Sequence, residues 1–180
     1  MTTSAPPGLA RFNAADRADA VALLCEVCAS RVWGVAVAAG RPYADVDALL
    51  DAADAAMAGL TGGDLAEAMA GHPPIGRPEP GDATSAREQS GVSGSGDEVR
   101  AELLELNLAY QERHGHVFLI CATGRTGEEM LTALRHRIGN DTGTEREIVR
   151  TELGKINRIR LTRLMTAEAE DTAEAAEGER

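Results

Sequence analysis

The chain has 180 residues, with 18 lysines and arginines against 29 aspartates and glutamates, and a formal net charge of −11. This acidic balance excludes a general nucleic-acid-binding protein, which needs a basic excess to displace phosphate counterions, and it disfavours a peripheral protein on anionic membranes. The three cysteines are too few for a disulfide framework, no apolar run could span a bilayer, and the first residues do not resemble a secretory signal, so we expect a cytoplasmic protein.

The amino-acid composition indicates the fold class. Alanine is frequent, aromatic residues make up 3% of the chain, and strand-like alternation of valine, isoleucine and threonine is nearly absent. Alanine favours helices, whereas β-branched and aromatic residues favour strands. We therefore expect an all-α, single-domain helical bundle of about seven to nine helices with no significant sheet. Residues 1–10 and the acidic tail 166–180 are expected to be disordered, which leaves 11–165 as the helical domain.

Helix-start signals and apolar periodicity predict four helices before residue 71. The first begins at Asn13, a good N-cap residue, and the second follows Ser30 until the Gly-Arg-Pro sequence at 40–42. Asp45 can cap the third helix, and a shorter fourth helix covers 61–70.

An irregular segment follows at 71–81, which contains four of the seven prolines and three glycines and cannot be regular helix. Thr84 or Ser85 can cap a short helix after it, and the glycine-rich stretch 91–96 is expected to be another loop. A long helix then runs from 97 to 114 and stops at a glycine.

Two capping-box sequences lie in the last third of the chain. They are Thr126-Gly-Glu-Glu129, which comes after the only strand-like run at 117–122, and Thr144-Glu-Arg-Glu147. In both, a glutamate follows the threonine by three residues, so that each side chain can bond a backbone N–H at a helix start. We expect a helix from the first box to Arg137 and a long helix from the second to near Met165.

Two motifs are assigned no chemistry. Cys25 and Cys28 have the Cys-x-x-Cys spacing, but the rest of the sequence offers no second ligand pair for zinc, and the motif lies in a helix rather than at the turn of a redox site. We interpret both as small core thiols and predict no metal site. The stretch 91–96 matches neither dinucleotide-binding nor phosphate-loop spacing.

Two groups near the irregular segment could carry acid–base chemistry. His72 precedes two prolines, which hold it on a rigid, extended corner suited to a preorganised proton donor; a histidine bonded to a loop carbonyl is the alternative. Ser85 and Glu88 lie three residues apart on one side of a helical turn, beside Gln89. A solvated cap, with Ser85 as N-cap and Glu88 as its partner, explains that pattern equally well.

Two features indicate where an anion could bind. Residues 120–127 lead an extended run into a helix start, where N–H groups favour negative charge; an ordinary capped turn is the alternative. In the last helix, Arg160 continues an apolar face formed by Val149, Leu153 and Ile156. A buried arginine needs a carboxylate or a bound anion, whereas an arginine at the edge of that face could reach water or an internal carboxylate.

These elements occur together in one known family. From about residue 12 to 161 the sequence resembles the OHCU decarboxylases (2-oxo-4-hydroxy-4-carboxy-5-ureidoimidazoline decarboxylases), enzymes of urate degradation. The resemblance rests on short motifs: His72-Pro-Pro-Ile-Gly76, Ser85-Ala-Arg-Glu88-Gln89, Leu106-Asn107 with Tyr110, Phe118-Leu-Ile120, and Ile156-Asn-Arg-Ile-Arg160-Leu161. The first two motifs in this order are specific to that family.

The resemblance implies an all-α, cofactor-free and homodimeric enzyme that converts OHCU to (S)-allantoin and carbon dioxide without a metal. His72 would be the catalytic histidine, treated as the proton donor, and Glu88 its carboxylate partner. The residues that would bind the substrate are Pro73, Ser85 and Gln89, the backbone of Ile120, Cys121, Ala122, Thr123 and Gly124, and, for an anionic group, Arg160. The chain departs from the family at His116, where an aromatic residue is common.

The chemistry of the reaction agrees with these residues. Loss of carbon dioxide leaves an electron pair that the conjugated ring of the substrate accepts, so neither a metal nor a Schiff-base lysine is required; the chain has one lysine, Lys155. The protein must supply orientation, charge complementarity and a proton on one face. The expected partner is therefore a small-molecule substrate. The alternative function is that of a non-enzymatic helical module that binds a partner.

Overall fold

The structure is a computed structural model that describes residues 5–77 and 80–167. These ranges contain ten α-helices and no β-strand, which confirms the all-α prediction and adds one helix to the upper end of the expected number. In chain order the helices are α1 (Pro7–Ala14), α2 (Arg17–Val27), α3 (Arg31–Ala39), α4 (Val46–Ala58), α5 (Gly62–Ala70), α6 (Ala83–Glu88), α7 (Ser90–Ser93), α8 (Asp97–His114), α9 (Gly127–Arg137) and α10 (Thr142–Thr166). Most of the tail expected to be disordered, 166–180, lies outside the described residues.

No helix in the described ranges combines the length and the apolar character that a membrane span requires.

The described residues divide into two compact units. The first comprises the chain up to Asp64 together with the part from Ile156 onwards, and the second runs from Leu65 to Lys155. Helix α10 contributes its beginning to the second unit and its end to the first.

In the first unit, α3 packs against α2 and α4. Trp33 of α3 is fully buried, and its indole Nε1 donates to the carbonyl of Ala53 in α4 at 3.0 Å. The Arg41 guanidinium donates to the carbonyls of Phe12 and Ala15, at 2.6 and 2.8 Å. These bonds attach the segment after α3 to the end of α1.

The start of the chain differs from the expectation. Residues 7–10, expected to be loose, belong to α1, because Leu9 is completely buried in the first unit. Asn13 does not cap a helix. It lies in α1, where its side chain donates to the Tyr43 carbonyl at 2.9 Å and accepts the Tyr43 N–H at 3.0 Å. The N-cap of α2 is Asp16, whose carboxylate accepts an N–H of the first turn.

Four predicted helix ends are confirmed. Ser30 and Asp45 cap α3 and α4, each accepting a backbone N–H three residues later. Thr126 and Glu129 form the complete capping box of α9. Gly115 ends α8 in the left-handed region at φ +76°, which glycine adopts without a steric penalty.

Other helix starts were predicted incorrectly. Asp82 caps α6 by accepting the Ser85 N–H at 2.9 Å, so neither Thr84 nor Ser85 is the cap. At α10 the Asp141 carboxylate accepts the N–H and the hydroxyl of Thr144, which takes the place of the predicted capping box. The expected loop 91–96 is partly helical as α7, because Val92 packs into the core of the second unit.

The core of the second unit encloses a charged pair. Its apolar members are Ile75, Val92, Leu103, Tyr110, Phe118, Ile120, Ala122, Met130, Leu131 and Leu134. The fully buried Glu145 accepts hydrogen bonds from the Tyr110 hydroxyl, from Arg137 Nε and Nη2 at 2.8 and 2.6 Å, and from Asn140 Nδ2 at 2.9 Å. Arg137 also donates from Nη1 to the Leu119 carbonyl at 2.8 Å.

This arrangement determines the protonation states of the two acids. Burial raises the pKa of Glu145, but the hydrogen bonds from Arg137, Tyr110 and Asn140 outweigh it and hold that pKa below its usual value. Burial, together with the bond to Glu145, raises the pKa of the Tyr110 phenol. Glu145 is therefore charged and Tyr110 is protonated at neutral pH.

We predict that Glu145→Ala lowers the free energy of unfolding by ~3–5 kcal/mol, because it leaves the Arg137 charge buried without its carboxylate. The matched control is Glu102→Ala, which removes an exposed pair with Arg135 and should cost at most ~1 kcal/mol. Urea denaturation of both variants measures the difference. Equal losses would contradict the account of the buried pair.

The lowered pKa of Glu145 also makes stability depend on pH. Because the folded-state pKa lies below the unfolded value of about 4.3, the stabilisation is present above that pH and is lost as the pH falls through the folded-state pKa. Urea denaturation from about pH 6 down to about pH 3 should therefore show the advantage of the wild-type chain over Glu145→Gln shrinking towards the acid end. A constant difference between the two curves would show that this carboxyl group does not titrate with folding.

Candidate active site

The irregular segment after α5 is hydrogen-bonded to the residue that ends α6, Gln89. His72, half-buried, follows the end of α5, and its N–H donates to the Met69 carbonyl at 3.0 Å. The segment turns at Gly76, where φ is +83°. The Gly76 N–H donates to Gln89 Oε1 at 2.8 Å. The two family motifs, which are separate in the sequence, are thus joined by a hydrogen bond.

Three polar residues of the second motif are buried. Ser85, Glu88 and Gln89 are 3%, 8% and 7% exposed. Ser85 lies inside α6 rather than at its cap, so the solvated-cap alternative is wrong for Ser85 and Glu88. Buried polar groups at the end of a short helix are held in place by packing, which is the condition for a preorganised site.

A close backbone contact places α7 beside the residues that lead into α9. A Cβ atom on Gly91 would lie 1.9 Å from the Arg125 carbonyl oxygen, a distance that no side chain can tolerate. Only glycine allows this approach. Gly91 therefore has a packing role.

The run 117–122 is neither helix nor turn, and side chains hold its backbone. Arg137 Nη1 donates to the Leu119 carbonyl at 2.8 Å, and Glu152 Oε2 accepts the Cys121 N–H at 2.8 Å. These bonds from α9 and α10 take the place of the partner strand that a sheet would provide.

Charges on two helices act on the Cys121 thiol. Burial is the main cause that raises the pKa of this thiol, and the carboxylates of Glu152 and Glu88 raise it further. The N–H of Thr123 acts in the opposite direction. Because Glu88 of α6 acts on this thiol, the structure brings the buried carboxylate of the second motif and the run 117–122 together in the second unit.

The turn at 123–126, which follows the run 117–122, has the features of the ordinary capped turn that was the alternative to an anion site. Thr123 and Gly124 are exposed, and Gly124 has φ +79°. The Thr126 N–H donates to Glu129 Oε2 at 2.8 Å, and the Glu129 N–H donates to the Thr126 hydroxyl at 3.2 Å. With two glutamates in its first turn, the start of α9 already has negative charge at its positive end. The helix terminus is therefore not a favourable site for a second anion.

Arg160 belongs to the first unit, whereas the other candidates belong to the second. It is half-buried, and its Nη1 donates to the Val27 carbonyl at 3.3 Å. Burial raises the pKa of the Cys28 thiol, and the positive charge of Arg160 partly offsets that rise. The role of Arg160 towards an anionic substrate group stays a prediction.

Glu152 was missed by the sequence reasoning, although the sequence contained a signal for it. It follows Val149 by three residues and precedes Ile156 by four, so it lies on the apolar face of α10. It is 7% exposed. A glutamate at such a position indicates a buried hydrogen-bond donor nearby, here the Cys121 N–H.

In the part of the chain that the structure describes, no group of three or more histidine, cysteine, aspartate or glutamate side chains is placed to hold a metal ion. Cys25, Cys28 and Cys121 are free thiols.

A family model described as OHCU decarboxylase matches residues 13–162 of the chain. The chain is 32% identical over 154 residues to the uric acid degradation bifunctional protein TTL of Arabidopsis thaliana, which covers 82% of this chain and 48% of that protein. It is 38% identical over 72 residues to the 2-oxo-4-hydroxy-4-carboxy-5-ureidoimidazoline decarboxylase of Amia calva, covering 40% of this chain and 41% of that protein. The aligned parts thus span less than half the length of these two curated relatives.

Two solved structures are similar in fold. A crystal structure of OHCU decarboxylase in the presence of (S)-allantoin has a TM-score of 0.72 and 29% identity, covering 81% of this chain and 98% of that chain. A crystal structure of (S)-allantoin synthase has a TM-score of 0.66 and 17% identity, covering 87% of this chain and 54% of that chain. The second likeness is one of fold alone.

Proposed function

Because the chain belongs to the OHCU decarboxylase family, we propose that it decarboxylates 2-oxo-4-hydroxy-4-carboxy-5-ureidoimidazoline to (S)-allantoin and carbon dioxide in urate degradation. The observation that carries this proposal is the attachment of the histidine motif to the buried Glu88-Gln89 pair through the Gly76–Gln89 hydrogen bond. The similar structure determined in the presence of (S)-allantoin supports the product.

The reaction requires little covalent chemistry from the protein. The bond from the substrate's carboxylate to its ring carbon breaks, carbon dioxide leaves, and the electron pair enters the conjugated ring. A proton delivered later to one face of that ring sets the configuration of the product. Positioning and electrostatic complementarity are the effects that the site must supply.

His72 and Glu88 are proposed to hold the substrate hydroxyl and to manage its proton. The two prolines after His72 restrict its backbone, and α6 fixes the buried Glu88 carboxylate. Neither group then has to reorganise from solvent before the transfer, which is the advantage of a preorganised pair.

Gln89 is proposed to bind a substrate oxygen. Its Oε1 is occupied by the Gly76 N–H, which fixes the orientation of the amide. No hydrogen bond within the described residues involves its Nε2, so the amide can direct two N–H donors at a ligand. Pro73 and Ser85 would line the substrate beside it.

Arg160 is proposed to bind the anionic group of the substrate, and the backbone of residues 120–124 is proposed to bind its ring and ureido groups.

We also propose that the enzyme is cofactor-free, homodimeric and cytoplasmic, as the family resemblance implies. Light scattering coupled to gel filtration measures the mass, and a species of 18.9 kDa would contradict the dimer.

We predict that His72→Gln retains the helical fold but lowers turnover about 10²–10⁴-fold, because it removes a general acid–base group. The matched control is His136→Gln, which changes an exposed histidine on α9 and should leave turnover unchanged. The measurement supplies freshly generated OHCU and follows the circular dichroism of (S)-allantoin above slow, unselective spontaneous decay. An unimpaired His72 variant would refute its assignment, and an inactive wild-type chain would refute the proposed function in favour of a binding module.

Removal of the Arg160 guanidinium should weaken substrate binding. We predict that Arg160→Ala raises KM about tenfold or more, since hydrogen bonds to charged groups contribute about 1.5–3 kcal/mol. Arg160→Lys should not restore KM if the contact is bidentate. Arg158→Ala serves as the control, because Arg158 lies on the same helix and pairs with Asp54 at 2.5 Å. A wild-type KM in the Arg160→Ala variant would contradict the role.

A further inference from the structure

The run 117–122 has two backbone edges with different surroundings. In an extended chain, successive residues direct their N–H and C=O groups to opposite edges. The Leu119 carbonyl and both backbone groups of Cys121 share one edge. They bond at 2.8, 2.8 and 3.1 Å to the charged side chains of Arg137, Glu152 and Arg125. This edge is anchored to the protein.

The opposite edge has no such partners. It carries the Ile120 N–H, the Ile120 C=O and the Ala122 N–H, and no hydrogen bond in the described part of the chain involves these three groups. Ile120 and Ala122 are nevertheless 5% and 4% exposed. Buried backbone groups are nearly always paired, so this donor–acceptor–donor series indicates a ligand-binding edge. A ureido group or a ring ureide, which alternates C=O and N–H, matches it.

The anchored edge affects the other through shared peptide groups. The Cys121 N–H and the Ile120 C=O belong to one peptide, so a carboxylate bonded to that N–H increases the negative charge on the Ile120 oxygen. The Arg137 guanidinium at the Leu119 carbonyl acts in the same way on the Ile120 N–H and makes it a stronger donor. Each charge has the sign that strengthens the group facing the other edge.

We propose that Glu152 is a positioning residue for the substrate: it fixes and polarises the peptide whose Ile120 carbonyl accepts a ureido N–H, without touching the substrate itself. This proposal rests on the proposed function, because it assigns the open edge to the ureido part of that substrate.

The ion pair of Glu152 does not account for its position. Its Oε1 accepts from Lys155 Nζ at 2.5 Å, but the Lys155 side chain is 49% exposed, and such pairs contribute little. A carboxylate on the apolar face of α10 costs desolvation free energy that an apolar residue there would avoid. The bond to the Cys121 N–H is the interaction that an apolar residue could not replace.

The test compares the KM and kcat of four variants with those of the wild-type chain, with (S)-allantoin formation followed by circular dichroism. Glu152→Ala removes the acceptor, and Glu152→Gln keeps a neutral one. Lys155→Met removes only the ion pair. Glu147→Ala makes the same substitution as the first variant at an exposed position of the same helix. Thermal unfolding of each variant verifies that it is folded.

The expected order of KM follows from the strength of the acceptor. Glu152→Ala should raise KM about tenfold and Glu152→Gln about threefold, with kcat nearly unchanged, because the ureido contact is made equally in the bound substrate and in the transition state. Lys155→Met and Glu147→Ala should retain the wild-type KM. If Glu152→Ala fails to fold, the KM of Glu152→Gln alone tests the proposal.

Three results would overturn the proposal: an unchanged KM in the Glu152 variants, a Lys155→Met variant as impaired as Glu152→Ala, or a loss confined to kcat. An inactive wild-type chain would instead show that the proposed function is wrong, and the role of Glu152 would be rejected with it. An active wild-type chain with unimpaired Glu152 variants would reject this inference alone.

Discussion

The second unit depends on the position of one guanidinium group. Arg137 is buried at the end of α9, where it forms an ion pair with Glu145 of α10 and donates to the Leu119 carbonyl. A buried cation requires both a carboxylate and further acceptors, and these two partners lie on different segments. The requirement to satisfy Arg137 therefore joins α9, α10 and the non-helical run 117–122 in the core of this unit.

That junction explains how a helical protein can contain an extended binding segment. An unpaired strand inside a core would ordinarily leave its backbone groups unsatisfied. Here charged side chains satisfy one edge, and the other edge stays available for a ligand whose polar groups alternate in the same way. On the proposed function, the histidine and the carboxylate that manage the proton belong to two short segments that the Gly76–Gln89 hydrogen bond joins.

The sequence predicted what is encoded locally. The all-α class follows from composition, and it is confirmed. The helix starts at Ser30, Asp45 and Thr126 and the glycine stop of α8 each depend on residues within one turn, and they are confirmed as well. The family resemblance rests on short motifs of the same local kind, of which 72–76 and 85–89 are the specific pair. Helix α1 was not predicted, because it is stabilised by the tertiary burial of Leu9 and has no strong local signal.

The site itself was only partly accessible from the sequence. The pattern around Glu88 was compatible with a solvated cap until its burial was known. Glu152 bonds to an amide 31 residues away in the chain, and periodicity cannot identify such a partner. The only sign of such a long-range hydrogen bond in the sequence is a polar residue on an otherwise apolar helix face.

A crystal structure of the chain with bound (S)-allantoin tests the account most directly. We expect ureide C=O and N–H groups within hydrogen-bond distance of the Ile120 N–H and C=O, with Glu152 still bonded to the Cys121 N–H. Allantoin bound elsewhere, or an Ile120 edge paired with the protein in the complex, would contradict it.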